Sequence, residues 1–527
     1  MNTAQDASEA NRLRAPQDPD YPFLDFGAGF FDAAARDPAK PAVIDETGSQ
    51  DWAAFSDQAR RVAGRLQALG LGPGDRVASL ADNSARHLAL YAGVILAGLC
   101  MVPLPTSADA ATLGRMLTDS GARMLFASAR LMATAQALSP DALALERIDD
   151  WADAAPIAAP VAVRPDDFFD LIYSSGTTGT PKGIIHDHRF RGRQLERMPR
   201  FGLDGAARLL MSTPLYSNTT LVAALPVMAK GGTIISMAKF DTTGFLRLSQ
   251  DLRASHAMLV PVQYMRLLAA PEFDRHDLSA YRAKLSTSAP LPAPLKREIL
   301  ARWPGNLYEV YGMTEGGVST VLDCAAFPDK LDTVGRPAEG CDLRVIDEAG
   351  RELPAGSYGE LVGRSGSMMQ GYLNAPEKTR ETLWRSPEGL DFIRTGDMGR
   401  VDADGFVHLL DRKKDMIISG GFNIYAADLE KVLRDHPAVA DVAVIAVPSA
   451  EWGETPLGLV VLHPDRAGAP DAGAEAIRDW ANQRLGKTQR LSSVEIRPDL
   501  PRSAIGKIQK KELRAPYWDA AKDKTGT

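Results

Sequence analysis

DLIYSSGTTGTPKG, residues 170–183, runs from an apolar, strand-like stretch into ten positions that cannot build a core. Ser174 to Gly183 holds two serines, three threonines, three glycines, one proline and a single lysine. Backbone N–H groups and hydroxyls in such a run can fold round phosphate oxygens, and Lys182 adds a point charge for an anion. A Walker A loop would end in Gly-Lys-Ser/Thr, but here Pro181 precedes the lysine and Gly183 follows it. The stretch therefore reads as a phosphate loop of another kind. A plain flexible linker would not need the lysine.

Upstream, from Pro41 to about Val260, short apolar runs alternate with longer helical periods. PAVID (41–45), DRVASL (75–80), MVPLP (101–105) and ARMLFAS (122–128) are strand-like; WAAFSDQARRVAGRLQALG (52–70) and TLGRMLTDSG (112–121) have helical spacing. This is the rhythm of βαβ units, so an α/β fold with parallel sheets and helices on their faces is expected. Leu88 to Val102, the longest apolar run, is shorter than the ~20 residues of a bilayer span and reads as a buried helix entering a strand. GLGPGD (70–75) lies between a helix and the next strand, the wrong order for a dinucleotide loop, and is read as a helix C-cap and turn.

From about Asp332 to Leu410 short strands and Gly/Asp turns predict an antiparallel, β-barrel-like subdomain. Beyond the charged run DRKKD (411–415), the strands DVAVIAVP, LGLVVLHP and SVEIRPDLP and the helix AEAIRDWANQRL predict a small, mobile α+β domain. The expected organisation is a disordered terminus over 1–22, a large N-terminal domain over 23–411 and a small C-terminal domain over 412–527, hinged near 411–414. The 527-residue length fits two or more domains. A net charge of −7 argues against a nucleic-acid partner. No signal peptide or transmembrane segment is read, and three cysteines without a C-x-x-C point to a reducing, cytoplasmic setting without disulfides or zinc. His186 and His188 bracket Asp187, but two histidines at this spacing without further ligands are read as loop-end residues rather than a metal site.

Further motifs then appear in a set order: YGMTEGG (311–317), GELVGRSGSMMQGYLNAPEKT (359–379), RTGDMG (394–399), DRKKDMIISGGFNIYAADLE (411–430) and PRSAIGKIQKKELR (501–514). Together with the loop at 174–183, they resemble the class I adenylate-forming enzymes: acyl-CoA synthetases, luciferases and the adenylation domains of peptide synthetases. The resemblance runs from about residue 25 to 515. It implies that ATP and a carboxylic acid give an acyl-adenylate and pyrophosphate, and that coenzyme A then gives acyl-CoA and AMP. No side-chain nucleophile is needed, so the protein has to position two mutually repelling anions and neutralise charge.

The resemblance assigns the residues. Ser174, Thr177, Thr178, Gly179 and Lys182 would hold the β- and γ-phosphates. Thr314 would contact the α-phosphate, and Glu315 would bind Mg²⁺, a hard cation suited to carboxylate oxygen. Tyr311 and Gly312, with Ala289 and Pro290, would receive the adenine; Asp397, with Arg412 beside it, would accept the ribose hydroxyls. Lys507 would bridge the carboxylate and the α-phosphate. Lys414 falls at the hinge, and Gly420 and Gly421 at the pantetheine tunnel, where a side chain would block the thiol.

The acid itself is less constrained. An amino-acid-activating domain needs a carboxylate near Ser217 to pair with the substrate ammonium, and PLYSNTT (214–220) has none. The chain also ends soon after Arg514, without length for a fused carrier domain. A binding-only relic would be expected to lose Lys182, Glu315, Asp397 or Lys507, and all four are present. Many CoA ligases carry histidine where this chain has Ser217; the smaller residue implies room for a bulky hydrophobic acid: aromatic, cyclic, or of medium to long chain. Tyr216, Ser217, Asn218, Val262, Ser288, Met313 and Val318 would form the pocket, with Asn218, Thr219 or Thr220 free to meet a polar group. The alternative is an adenylating enzyme that passes its acyl group to a carrier protein. As partners, the small-molecule acid, ATP and CoA are expected, in a monomer or homodimer.

Overall fold

In the computed structural model, Leu88–Val102 divides as the hydrophobic pattern predicts, between the helix Ala85–Leu96 and the strand Cys100–Pro103. Residues 23–153, 155–174, 181–412, 415–419, 422–449, 451–486, 489–502 and 506–525 are described. Ser84 caps the helix by accepting from the His87 amide, and Asp51 caps Trp52–Ala68 through the Ala54 amide. These two helices pack so closely at Gly93 that a Cβ there would lie 2.7 Å from the Ala59 carbonyl oxygen and from Val62 Cβ. A glycine inside an apolar helix is thus a packing requirement at this crossing.

Among the described residues, nine strands form one sheet, in spatial order Arg336–Pro337, Ser319–Asp323, Asn306–Gly312, Ala283–Ser286, His256–Leu259, Arg208–Met211, Thr233–Ser236, Pro41–Asp45 and Gly48–Asp51. Its interior, from Asn306–Gly312 to Pro41–Asp45, is parallel throughout. A seven-stranded sheet has the order Gly371–Tyr372, Lys182–Asp187, Phe168–Ser174, Cys100–Pro103, Arg76–Leu80, Met124–Ala127 and Leu143–Ala144. Phe168–Ser174 and the four strands beyond it are parallel. Lys182–Asp187 turns back antiparallel on Phe168–Ser174, with Ser174 opposite Lys182. The two strands that flank residues 175–180 therefore lie as an antiparallel pair inside a largely parallel sheet. Helices cover the strands, and Phe26, Phe30, Trp52, Phe55 and Phe169, each at most 1% exposed, contribute aromatic rings to that core.

The chain divides into two compact units: residues up to 343 with 362–394, and 344–361 with 395 onwards. The antiparallel region expected around 332–410 contributes to both. Leu383–Arg385 pairs with the start of Asp391–Val401 in the first unit, and Val407–Arg412 pairs with its end in the second. The second unit also holds the sheet Phe422–Ile424, Ile417–Ser419, Gly453–Leu462, Val439–Ser449, with Ser493–Ile496 parallel to Gly453–Leu462. The helices Ala426–Arg434 and Ala474–Asn482 contribute Leu429, Leu433, Ile477 and Ala481 to its core. The α+β reading of the C-terminal hundred residues corresponds to this sheet and its helices.

Four histidines are buried in the first unit, and three of them, His87, His188 and His256, have a lowered pKa. His87 Nδ1 donates to the Asp82 carbonyl (3.1 Å), so its Nε2 faces the Ser79 hydroxyl (2.8 Å) as acceptor. His256 contacts the Ser255 hydroxyl and the Phe201 carbonyl, and His188 Nε2 is buried with no partner among the described residues. Burial lowers each from an ordinary 6.5 to about 4. Between those values the unfolded chain binds protons that the folded one refuses, so stability is complete above pH 6.5 and is lost as the pH falls towards 4. Urea unfolding is expected to show a midpoint that drops from pH 7 to pH 5, with a smaller drop in His188→Gln. A midpoint unchanged across that range would refute the neutral-histidine account.

Candidate active site

The hairpin at 168–187 places an acid opposite a base. Asp170 and His186 are register partners on adjacent antiparallel strands, and both are fully buried. Asp170 Oδ1 lies 2.7 Å from His186 Nδ1, and Oδ2 accepts from the Tyr91 hydroxyl (2.6 Å) and from Arg191 Nε (2.8 Å) and Nη2 (2.6 Å). Arg191 comes from the helix His188–Arg197, whose N-terminus is capped by Asp187 through the Phe190 amide (2.7 Å). Burial alone would raise the Asp170 carboxyl. The Arg191 guanidinium, His186 and the hydrogen bonds from His186 and Tyr91 outweigh it and hold the pKa below the ordinary value. Burial, reinforced by the Asp170 charge, raises the Tyr91 phenol, which stays protonated and donates.

This cluster reaches two of the predicted segments. His186 Nε2 lies 2.7 Å from the Thr314 carbonyl; a carbonyl only accepts, so Nε2 donates to it. Arg191 Nη1 donates to Asn218 Oδ1 (2.7 Å), on the first turn of the helix Asn218–Lys230. Ser217 caps that helix by accepting from the Thr219 amide (3.3 Å), and the Thr219 hydroxyl meets Ser288 Oγ at 2.7 Å. Ser288 has φ +77°, a left-handed backbone outside glycine's usual role, just after the strand Ala283–Ser286. Residues 217–219, 288 and 314, far apart in sequence, are thus linked in the first unit, Ser288 directly to Thr219 and Thr314 through His186, Asp170 and Arg191.

Lys182, at the end of the loop, lies over the Tyr372 ring, 4.7 Å from its centroid, and the Tyr372 hydroxyl donates to Glu315 Oε1 (2.8 Å). One aromatic side chain faces the lysine with its ring and the glutamate with its hydroxyl. Burial, then the Glu315 charge and its hydrogen bond, raise the Tyr372 phenol. The turn that carries Glu315 is held by backbone. Gly317 N donates to Ser367 O (2.7 Å) and Met369 N to Glu315 O (2.9 Å). Gly316 has φ +75°, and a Cβ there would lie 2.1 Å from the Ser367 carbonyl oxygen, so only glycine fits.

The other predicted residues are placed as follows. Tyr311 and Gly312 end the strand Asn306–Gly312, and Met313 packs against a cluster of Ile184, Met368, Met369, Tyr372 and Ile393. Val318 is buried, close against the Gly363 backbone. Val262 is half-buried on the helix Pro261–Leu268, Tyr216 precedes the helix cap with its phenol raised by burial, Ala289 is half-buried and Pro290 exposed. In the second unit Asp397 and Arg412 are register partners on antiparallel strands, and the Asp397 amide donates to Thr395 Oγ1 (3.0 Å). Lys507 lies in a turn closed by the antiparallel bridge Arg502–Ile508, where Arg502 donates to the Gly506 carbonyl (2.8 Å) and to Asp441 (2.5 Å). Thr177, Thr178, Gly179, Lys414, Gly420 and Gly421 lie outside the described residues, as do the side chains of Ser174 and Arg412.

Sequence reasoning missed Asp170, His186, Arg191, Tyr91 and Tyr372. A signal for the first two exists: an acid and a base interrupt the apolar runs FFDLIY and GIIHD on strands that the loop between them makes neighbours. His186 and His188 have separate places, one in this cluster and the other behind Phe169, with ring centroids 5.0 Å apart.

Residues 30–373 match the family of AMP-binding enzymes, and residues 428–507 match the AMP-binding enzyme C-terminal domain. A feruloyl-CoA synthase from an Amycolatopsis species is 35% identical over 92% of this chain and 97% of its own. A fatty acid–[acyl-carrier-protein] ligase from Streptomyces coeruleorubidus is 31% identical over 92% and 95%. Among solved structures, ATP-bound MatB from Rhodopseudomonas palustris superimposes with a TM-score of 0.85 at 30% identity, over 94% of this chain and all (100%) of that one. A segment of phosphate-binding composition between two antiparallel strands, a lysine–tyrosine–glutamate contact and a C-terminal α+β unit accompany a match across nearly the whole length: the chain belongs to the AMP-binding enzyme family.

Proposed function

We propose that the acid activated by this AMP-forming acid–CoA ligase is bulky and hydrophobic, aromatic, cyclic or of medium to long chain. The observation that carries the reading is the set of direct contacts that gathers Ser217–Thr219, Ser288 and Thr314 beside the Lys182–Tyr372–Glu315 group. Acyl-pocket candidates and nucleotide candidates thereby share one unit. Small Ser217 and half-buried Val262 and Met313 leave apolar walls without a charged group to pair with a substrate ammonium.

In the first half-reaction a carboxylate oxygen attacks the α-phosphorus of ATP, the bond to the β-phosphate bridge breaks, and pyrophosphate leaves. Lys182, with Thr177 and Thr178, holds the β- and γ-phosphates; the Thr314 side chain meets the α-phosphate. Tyr311 receives the adenine, and Asp397 with Arg412 takes the ribose hydroxyls. Glu315 suits Mg²⁺: its Oε1 accepts from Tyr372 and its second carboxylate oxygen has no partner among the described residues. Mg²⁺ keeps several waters and phosphate oxygens, so a single protein carboxylate is sufficient, and the ion would neutralise phosphate charge there. Lys507 neutralises the charge shared by carboxylate and α-phosphate. Positioning of the two anions can supply about 7–11 kcal/mol of the barrier. In the second half-reaction the CoA thiolate attacks the acyl carbonyl and AMP leaves, with Gly420 and Gly421 leaving space for the thiol.

Lys507 acts from a small C-terminal domain that begins near 411–414, with Lys414 as the hinge, and it is withdrawn between the half-reactions. The three cysteines are unpaired, which suits a reducing cytoplasmic setting. No helix among the described residues is long and apolar enough to cross a membrane. A second reading, transfer to a carrier protein, is supported by the 31% identity to the carrier-protein ligase.

AMP formation measured over a panel of acids, with CoA or acyl carrier protein as acceptor, tests the substrate and the acceptor together. Aromatic or medium- to long-chain acids with CoA should give the highest kcat/KM, and a strong preference for acetate or propionate would overturn the reading. Separately, Lys507→Ala should lower adenylation by about 100-fold or more, the scale of a lost charge-stabilising donor, while thioester formation from supplied acyl-adenylate persists. If both half-reactions fell together, withdrawal of Lys507 would be refuted.

A further inference from the structure

Resting on that pocket reading, we infer that Arg191 sets the Asn218 amide so that the acid pocket presents an N–H donor, which selects acids carrying an acceptor oxygen on their apolar body.

Three polar side chains of the SNTT stretch were open candidates for a substrate contact: Asn218, Thr219 and Thr220. Two of them are committed. The Thr219 hydroxyl is engaged with Ser288 Oγ (2.7 Å), and the Thr220 hydroxyl donates to the Pro214 carbonyl (2.6 Å) beside Thr213 Oγ1 (2.8 Å). Asn218 is different: its Oδ1 accepts from Arg191 Nη1 (2.7 Å), it is half-buried, and its NH₂ has no partner among the described residues.

The orientation of that amide follows from chemistry. A guanidinium has five donors and no acceptor, so only the oxygen of an asparagine amide can face it. Arg191 is itself immobilised: it is completely buried, Asp170 takes its Nε and Nη2, and Gln194 Oε1 shares Nη1 at 2.9 Å. Turning the amide over would set donor against donor beside a charge that cannot move away. The NH₂ is therefore held outward from Arg191. In an apolar pocket a substrate oxygen would satisfy it, whereas a hydrocarbon in the same place would displace its water and leave it unpaired. The substrate class is a bulky acid with a methoxy, keto or hydroxyl oxygen. Asp170 and Arg191 act through Asn218 and are positioning residues.

Two matched pairs test this with the full-length enzyme, ATP and CoA: 4-methoxycinnamate against 4-ethylcinnamate, and 7-oxooctanoate against octanoate. The oxygen-bearing member of at least one pair should be favoured by about ten-fold in kcat/KM, the scale of one hydrogen bond. Asn218→Asp keeps an oxygen against Arg191 and replaces the outward NH₂ with a carboxylate oxygen, at a helix N-terminus that tolerates negative charge. It should abolish or reverse the preference. Arg191→Lys keeps the charge beside Asp170 but lacks the planar fork, and should bring the ratio towards unity. A merely structural role would slow both members alike and keep the ratio, and that result, or no preference in the wild-type enzyme, overturns the inference. Asn218→Trp separates the two levels. If it leaves the KM of every acid unchanged, the pocket reading fails; if it raises KM while Asn218→Asp preserves the ratio, only the donor inference fails.

Discussion

The Asp170 carboxylate, fully buried, is the constraint on which the first unit is organised. An ion in that position is tolerable only if its lone pairs are satisfied and its charge is matched, and Tyr91, His186 and Arg191 do both. Each comes from a different element: the helix behind the sheet, the returning strand of the hairpin, and the helix after it. The cluster ties these together and extends to the Thr314 carbonyl on one side and Asn218 on the other. A site that must hold two anions close together gains from walls whose own charges are already paired and fixed.

Tyr372 divides the work between its ring and its hydroxyl. The ring lies under the Lys182 ammonium, and the hydroxyl holds Glu315. Cation and carboxylate are thereby held by different parts of one side chain. The Glu315 turn has little freedom, because Gly316 and Gly317 press against the Ser367 and Gly363 carbonyls. Backbone contact, more than side-chain packing, sets the height of Glu315 against Tyr372.

The second unit presents its charged groups on short-range scaffolds. Asp397 and Arg412 are register partners on one antiparallel pair, and Lys507 precedes Ile508, which bridges to Arg502. Arg502 reaches Asp441 on the neighbouring strand, which anchors that bridge to the hydrophobic sheet of the C-terminal unit.

Much of this was legible in the chain itself. Alternating periods at 41–128 predicted the strands Pro41–Asp45, Arg76–Leu80 and Met124–Ala127 and the helices between them, because periodicity, caps and turns are local properties. The residue types at Ser174–Gly183 indicated phosphate chemistry for the same reason: loops that wrap anions need glycine, hydroxyls and lysine in close succession, whereas Tyr311–Gly317 and Pro501–Arg514 were assigned by family resemblance. What the sequence by itself determined was thus the order of elements and the kind of ligand. Only the tertiary structure decided which groups share a buried environment. The His186–Thr314 contact spans 128 positions, and Tyr372 meets a lysine and a glutamate from two distant motifs. Among Asn218, Thr219 and Thr220, the one donor without a partner among the described residues could be told apart only by its neighbours, since hydrogen-bond pairing depends on register and packing between segments that no local pattern relates.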